Sequence, residues 1–423
     1  MSGVLGGCAF IGSDGTAAML GGNATSLQRF AGGDWTPVIE ELDASSWRFD
    51  QFGDLVIGVN GSEPVKFDLI TGTGEVLGGS PPISDLVATV RQQVFLAGDP
   101  DARNVLSISG YNDAEGWTAG TNQSLVVPFP SGGDIMGLAG GETGLILQKR
   151  SIKRATYTGD GVTWWQFDEI SRDIGCMAKG SVAQAGQTVF FLSEQGFKAT
   201  DRNTVIPIGQ DKIDRYFFQT YSRADIDRIQ AAVDPRSTTV IWAMPGTPGR
   251  LWAYNWTLAR WTTLDIGNLG VFSGFTSNIA IDAVDAVFPD GIDTIPISLD
   301  SPFFAGGNPL FLVIGNNRTV GTLSGAYLPA RFTTQPAMIV SGKRVRIRSA
   351  RPIGDAAGGV VSIDRRARAS DEQTLVASGN VRANGSVALR ANGLYIGAVH
   401  DVPSTPWTYM AGLELQCETE GER

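Results

Sequence analysis

A chain of 423 residues with 42% hydrophobic and only 18% charged residues has the composition of a folded protein with a large core. It excludes a disordered chain, which is charge-rich and poor in aromatics. The net charge of −10 argues against a general nucleic-acid binder, which needs a basic face to neutralise phosphates, though DNA could slide past such a surface without sticking. Three dispersed cysteines, Cys8, Cys176 and Cys417, make no disulfide framework and imply synthesis in a reducing cytosol. Residues Met1 to Gly7 do not resemble a signal peptide, and no run of about 18 apolar residues exists, so membrane insertion is not expected.

Along the chain one pattern recurs: a short apolar run, a tight turn and a second short strand. It reads TAAMLGGNATSLQRF from Thr16, DLVIGVNGSEPVKFD from Asp54 and QVFLAGDPDARNVLSISG from Gln93. It continues as GLILQKRSIKRATYTG from Gly144, TVFFLSEQGFKATD from Thr188, TVIWAMPGTPGRLWAYN from Thr239 and PLFLVIGNNRTVGTLSG from Pro309. A spacing of roughly 40–50 residues, stretching to about 70 before the last copy, is that of four-stranded propeller blades. Small-residue strands near Leu86, Ile135, Val182 and Ala232 precede most copies and suit a narrow central channel. Aromatic segments at Trp35, Trp117, Trp164 and Trp261 follow most copies and are expected as outer strands filling the wedge between blades. Leu55, Phe95, Ile146, Phe190 and Ile241 are expected at equivalent positions of successive blades. One helix interrupts the strands, in DKIDRYFFQTY, where Ile213, Phe217 and Tyr221 recur at helical spacing with Phe218 beside them; RADIDRIQ from Arg223 suggests a further helical turn. From about Gln335 polar and apolar residues alternate between glycine-rich turns, the pattern of an antiparallel β-sandwich. The expected fold is therefore all-β: a propeller of six or seven blades over residues 1–330 and a C-terminal sandwich over 331–423.

Residues that carry chemistry are sparse. The single histidine, His400, lies at a strand end, and no cysteine has a near partner for a zinc site. No phosphate-binding loop or calcium loop is present, so neither a cofactor nor a metal is expected. YTGDGVTWW, from Tyr157 to Trp165, resembles the aspartate box of sialidase propellers, but it is one residue short and occurs once; Asp160-Gly161 reads better as a hairpin turn. Carboxylates such as Asp160 and Glu169 are the obvious residues to mutate in a test for glycosidase activity. The one unusual charge feature is basic: Lys343, Arg344, Arg346, Arg348 and Arg351, followed by Arg365, Arg366 and Arg368. Alternation places Arg344, Arg346 and Arg348 on one face with Val345 and Ile347 turned inward. Such a strand is a solvated face, a contact with an acidic neighbouring subunit, or a contact with DNA.

The run from Asn60 to Trp261 also carries a resemblance. GVNGSEPVKFD, VFLAGDPDARNVLSISGYNDAEGWTAGTNQS, GGETGLILQKRSIKRATYTGDGVTWWQFDEISRDIGCMAKGSVAQAGQTVFFLSEQGFKATD, IPIGQDKIDRYFF, AAVDPRSTTVIW and LWAYNWTLARW resemble, in order and wording, the tail nozzle or packaged-DNA stabilisation proteins of short-tailed bacteriophages. SGKRVRIRSARP and the closing WTYMAGLELQCETEGER resemble that family's last domain, while the part before Trp47 is less similar. The resemblance implies a virion tail protein made in the host cytoplasm, forming a homohexameric ring below the portal and its adaptor. It implies contacts with tail fibres or plug proteins and with packaged double-stranded DNA, which the ring helps retain and release. No enzymatic activity is expected. The alternatives from other classes are a propeller hydrolase or depolymerase acting on glycans, and an adhesin that binds glycan without cleaving it.

Overall fold

The computed structural model describes residues 3–31, 34–234, 236–246, 249–275, 309–317, 319–323 and 327–419. The chain divides into two compact units, Met1–Leu323 and Ser324–Arg423. The division falls a few residues before the expected boundary at 330, because Ala330–Thr333 already pairs with Tyr395–Val402 of the second unit.

The first unit is a β-propeller with seven blades among the described residues, spanning residues 6–39, 48–76, 86–128, 135–171, 183–207, 230–265 and 268–322. The first six are four-stranded meanders, and blade 7 has three described strands. Each blade comes from one contiguous stretch and starts at its inner strand. Residues 276–308, which account for the long gap before the last repeat, lie outside the described residues. All seven recurring patterns fall on the second and third strands of their blades.

Apolar layers between blades hold the ring together, and they run unbroken around it. Leu20 and Leu27 of blade 1 meet Val56 and Phe67 of blade 2. Ile57 and Val59 meet Val94 and Leu96 of blade 3, whose Phe95 and Ile108 meet Ile146 and Trp165 of blade 4. Leu145 and Leu147 then meet Val189 and Phe191. Phe190 and Phe197 meet Trp242 and Trp252 of blade 6, and Ile241 and Ala253 meet Val271 and Phe311 of blade 7. The circle closes where Phe272, Leu312 and Ile314 of blade 7 pack with Val4 and Met19. Closure thus rests on side-chain packing between the first and last blades, and the inner strands Gly6–Ile11 and Asn268–Phe275 lie side by side.

Two expectations are corrected here. Leu55, Phe95, Phe190 and Ile241 face the following blade, but Ile146 faces the preceding one. Gly144–Gln148 is buried on both faces, so its sequence has no alternation from which to read a facing. Leu55 also begins its strand, and Ile57 sits where Phe95 and Ile241 sit in theirs. Trp117 is in the loop before Leu125–Pro128, and Trp164 is in the loop just before Trp165–Ser171, rather than on outer strands, whereas Trp35 and Trp261 lie on outer strands.

The expected helices are present as Asp214–Thr220 and Arg223–Ile226. They join blades 5 and 6, and Phe217 and Ile226 complete the apolar layer between those blades. Ser222 caps the second by a capping box with Asp225.

The second unit is a two-sheet antiparallel sandwich. One sheet runs Ala330–Thr333, Tyr395–Val402, Val360–Arg366, Leu375–Asn380; the other runs Val387–Gly393, Val345–Gly354, Met410–Thr419. Val345, Ile347, Val361, Ile363 and Ala398 fill the space between them.

Candidate functional sites: the propeller channel and the arginine strand

The inner strands of all seven blades line a central cavity of about 770 Å³. Small and aliphatic residues line much of it, including Gly7, Ala9, Val87, Gly137 and Ala183. Its charged lining comes from segments that the sequence did not place at the channel: Arg48 and Asp50 on Arg48–Phe52, Lys179 before blade 5, and Asp227 and Arg228 before blade 6, in the stretch expected only as a helical turn. Arg48–Phe52 reads RFDQF, too polar to be recognised as an inner strand beside the small-residue segments.

Arg48, Asp50 and Lys179 reach from one blade to another, whereas Asp227 pairs with Arg223 on its own helix. The Arg48 guanidinium donates to the Asp85 carbonyl of blade 3 at 2.9 Å, and burial lowers its pKa. Asp50 accepts from the Thr89 N–H of blade 3 at 2.6 Å and from the Gln51 N–H at 2.9 Å. Burial pushes the Asp50 carboxyl up to about 6, against the pull of those two N–H donors. Lys179 forms an ion pair with Asp85. Gln51 donates to the Ile11 carbonyl of blade 1 at 2.8 Å, Gln184 to the Gly140 carbonyl of blade 4 at 3.0 Å, and the Ser273 hydroxyl to the Val233 carbonyl of blade 6 at 2.7 Å. Each fixes one inner strand to another blade while satisfying a polar group that burial would otherwise leave costly.

The basic strand lies in the sandwich. Lys343 and Arg344 immediately precede Val345–Gly354, on which Arg346, Arg348 and Arg351 are exposed while Val345 and Ile347 are fully buried. Strict alternation would turn Arg351 inward. A bulge between Ile347 and Ser349 resets the phase, so Ala350 is buried and Arg351 is exposed. The face also carries its own acid: Arg346 lies opposite Glu418, Arg351 opposite Glu414, and Arg348 forms an ion pair with Glu418 at 2.6 Å. A negative partner thus already stands within the same sheet, which sequence reading had assigned only to a neighbour or to DNA. Of the following arginines, Arg366 pairs with the fully buried Asp364.

The remaining candidates are placed as follows. Asp160 accepts from the N–H groups of Val162 and Thr163, and Gly161 has φ +81, so this segment is a turn between the last two strands of blade 4. Glu169 binds Lys153 and Arg172, and the Arg172 bond lowers its pKa. His400 is fully buried in the sandwich, with Nε2 3.2 Å from the Gly358 carbonyl oxygen. The three cysteines are unpaired. Among the described residues no group of three or more His, Cys, Asp or Glu is arranged to hold a metal ion, and no helix is long and apolar enough to cross a membrane.

No protein-family profile matches this chain, and no curated protein matches it. Among solved structures it is similar to U3-55K, with a TM-score of 0.42 at 10% identity over 64% of this chain and 84% of that one. It is similar to the WD40 repeats of RRP9 with the same score and identity, over 64% and 83%. A chain of the mitotic checkpoint complex gives 0.42 at 8% identity, over 74% and 87%. The propeller assignment rests on the blade topology and the closed circle of apolar layers.

Proposed function

We propose that the chain is a structural protein of a bacteriophage tail, one subunit of a ring below the portal and adaptor that extends the DNA channel. In this reading it helps retain the packaged genome and release it on ejection. It acts by assembly: six copies surround the DNA path, and adaptor, fibre or plug proteins dock on the ring.

The resemblance between Asn60 and Trp261 suggests the reading. The observation that carries it against a hydrolase is that polar groups on the inner strands are engaged by neighbouring blades. Arg48, Asp50, Gln51, Gln184 and Ser273 hold one inner strand to another. A hydrolase needs such groups turned toward a substrate, whereas a ring component under internal pressure needs blades that do not separate.

The test is a cryo-EM reconstruction of particles from a phage that encodes this chain. The expected result is density for the seven-bladed unit in a ring distal to the portal. A particle lacking the chain, or purified chain that cleaves capsule or lipopolysaccharide with turnover abolished by Asp50→Asn, overturns the reading.

A further inference from the structure

One end of blades 3 and 4 carries a cluster that the tail reading does not use. The turn at 91–92, the loop 109–124, the turn 140–143 and the loop 158–164 each join a first to a second strand or a third to a fourth, so they emerge at the same end. Three rings form a near-parallel row there. Tyr111 and Tyr157 have centroids 6.4 Å apart and planes 26° apart; Tyr157 and Trp164 are 6.4 Å and 18° apart. Parallel rings at that separation are displaced sideways rather than stacked face to face, which makes a stepped strip. Tyr111 is 38% exposed, Trp164 is half-buried, and the Arg91 guanidinium lies 4.9 Å from the centre of Tyr157.

The loops beneath the strip are built rigidly. Of ten non-glycine residues with left-handed backbone among the described residues, four are here: Arg91, Asn112, Asn122 and Gln123. Such conformations persist only where surroundings impose them, and they concentrate at functional sites. The buried Gln93 ties the loops together, donating to the Ser109 carbonyl at 2.6 Å and the Gln123 carbonyl at 3.3 Å while accepting from the Trp165 indole at 2.9 Å, and the Arg91 and Asn112 N–H groups are held by the Gly141 and Gln92 carbonyls. The Tyr157 hydroxyl donates to the Gln123 side chain at 2.9 Å, and Asn122 donates to the Tyr111 carbonyl at 3.0 Å.

We propose that this strip is a binding site for a neutral oligosaccharide. Sugar rings present flat C–H faces that suit a stepped row of aromatic rings, and their hydroxyls suit the amides and the Arg91–Glu142 pair at its margin. Charge selects against other ligands that stack on aromatic rings. Arg91 pairs with Glu142, and the same four segments also carry Asp113, Glu115 and Asp160, so their net charge is negative even though the buried Arg202 bonds the 140–143 turn; a single-stranded nucleic acid needs a basic groove along its backbone. The same balance repels acidic polysaccharides. The site is independent of the tail reading, because it is a property of the isolated chain.

The test uses the full chain on an array of neutral and acidic bacterial-surface glycans, with a single-stranded 20-mer DNA as competitor. Neutral glycans are expected to bind, with affinity unchanged between 50 and 500 mM NaCl. Tyr111→Ala combined with Trp164→Ala is expected to weaken binding at least tenfold while the far-ultraviolet spectrum stays that of the parent. If the double variant fails to fold, Tyr111→Ala alone, at an exposed ring, is expected to weaken it at least threefold. Absence of any neutral ligand, binding that these variants leave unchanged, or a preference for acidic glycans or the DNA overturns the proposal.

Discussion

Asp50 is half-buried at the channel wall, and replacing it by asparagine tests the view that channel groups clasp blades rather than do chemistry. Burial raises its carboxyl from 3.8 to about 6. The folded chain therefore holds this proton more tightly than the unfolded one. Its contribution to stability is fully present below about 4, and is lost as pH rises through about 6. The two values differ by an amount equivalent to about 3 kcal/mol, which solvent at a half-buried site trims to about 2–3 kcal/mol. Asparagine is close in shape to the protonated acid and cannot ionise. Asp50→Asn removes this titration but offers one oxygen to the two N–H donors that the acid's two oxygens accept, so it is expected to fall below the parent by about 1–3 kcal/mol near pH 4 and to regain about 2–3 kcal/mol relative to it by pH 8. Urea unfolding followed by tryptophan fluorescence suits the measurement, because nine of the ten tryptophans precede residue 324 and report on the propeller. Subtracting parent from variant at each pH removes every other titrating group. A variant that equals the parent near pH 4 would show that the paired N–H groups do not hold the blades, and a difference that stays flat from pH 4 to 8 would show that burial does not hold the proton; either result would sink the clasp argument.

Two further outcomes follow from the blade interfaces. Phe272→Ala removes a ring from the layer between blades 7 and 1 and is expected to cost about 3–5 kcal/mol in the same urea assay; a loss below about 1 kcal/mol would mean that packing there does not close the ring. Gly22→Ala places a methyl carbon 2.2–2.3 Å from the Trp47 indole, which itself stacks on Phe49 and donates to the Asn23 carbonyl. The indole must shift, at an expected cost of about 1–3 kcal/mol, and unchanged stability would show that it has room to move.

The repeat was legible because each blade places an apolar hairpin at its centre, whatever its outer parts do. Facing was not legible, because those strands are buried on both sides and Leu145, Ile146 and Leu147 are chemically interchangeable on paper. Blade 2's inner strand was hidden for the opposite reason. Arg48, Asp50 and Gln51 look like surface residues until the partners that satisfy them, Asp85, Thr89 and Ile11, come near from other blades. The same long-range dependence concealed the aromatic strip, since Tyr111 and Tyr157 are brought together only by the packing of blade 3 on blade 4. In the sandwich, alternation correctly put Val345 and Ile347 inside, but no residue type announced the bulge that exposes Arg351.

The arginine strand offers the most direct test of the proposed assembly. Arg346, Arg348, Arg351 and Arg390 share a sheet with Glu414 and Glu418, all six exposed. Arg348 pairs with Glu418, but both are more than half exposed, at 62% and 53%, so the pair contributes only about 0–1 kcal/mol. Arg344 and Arg346 make no ion pair among the described residues. Changing Arg344, Arg346 and Arg348 to alanine is thus expected to leave stability within about 1 kcal/mol and the chain folded. The planar guanidinium suits carboxylate and phosphate alike, so chemistry alone does not choose between an acidic neighbour and DNA. Under the tail reading proposed above, a channel that gripped phosphates would slow ejection, which favours a neighbouring subunit of this acidic protein. Infection with a phage carrying the triple variant separates the two, with tails counted by electron microscopy and genome retention measured by nuclease protection. Loss of assembled tails is the expected outcome. Normal tails that leak DNA would assign the strand to the DNA path instead, and normal tails with normal retention would leave it a solvated face balanced by Glu414 and Glu418.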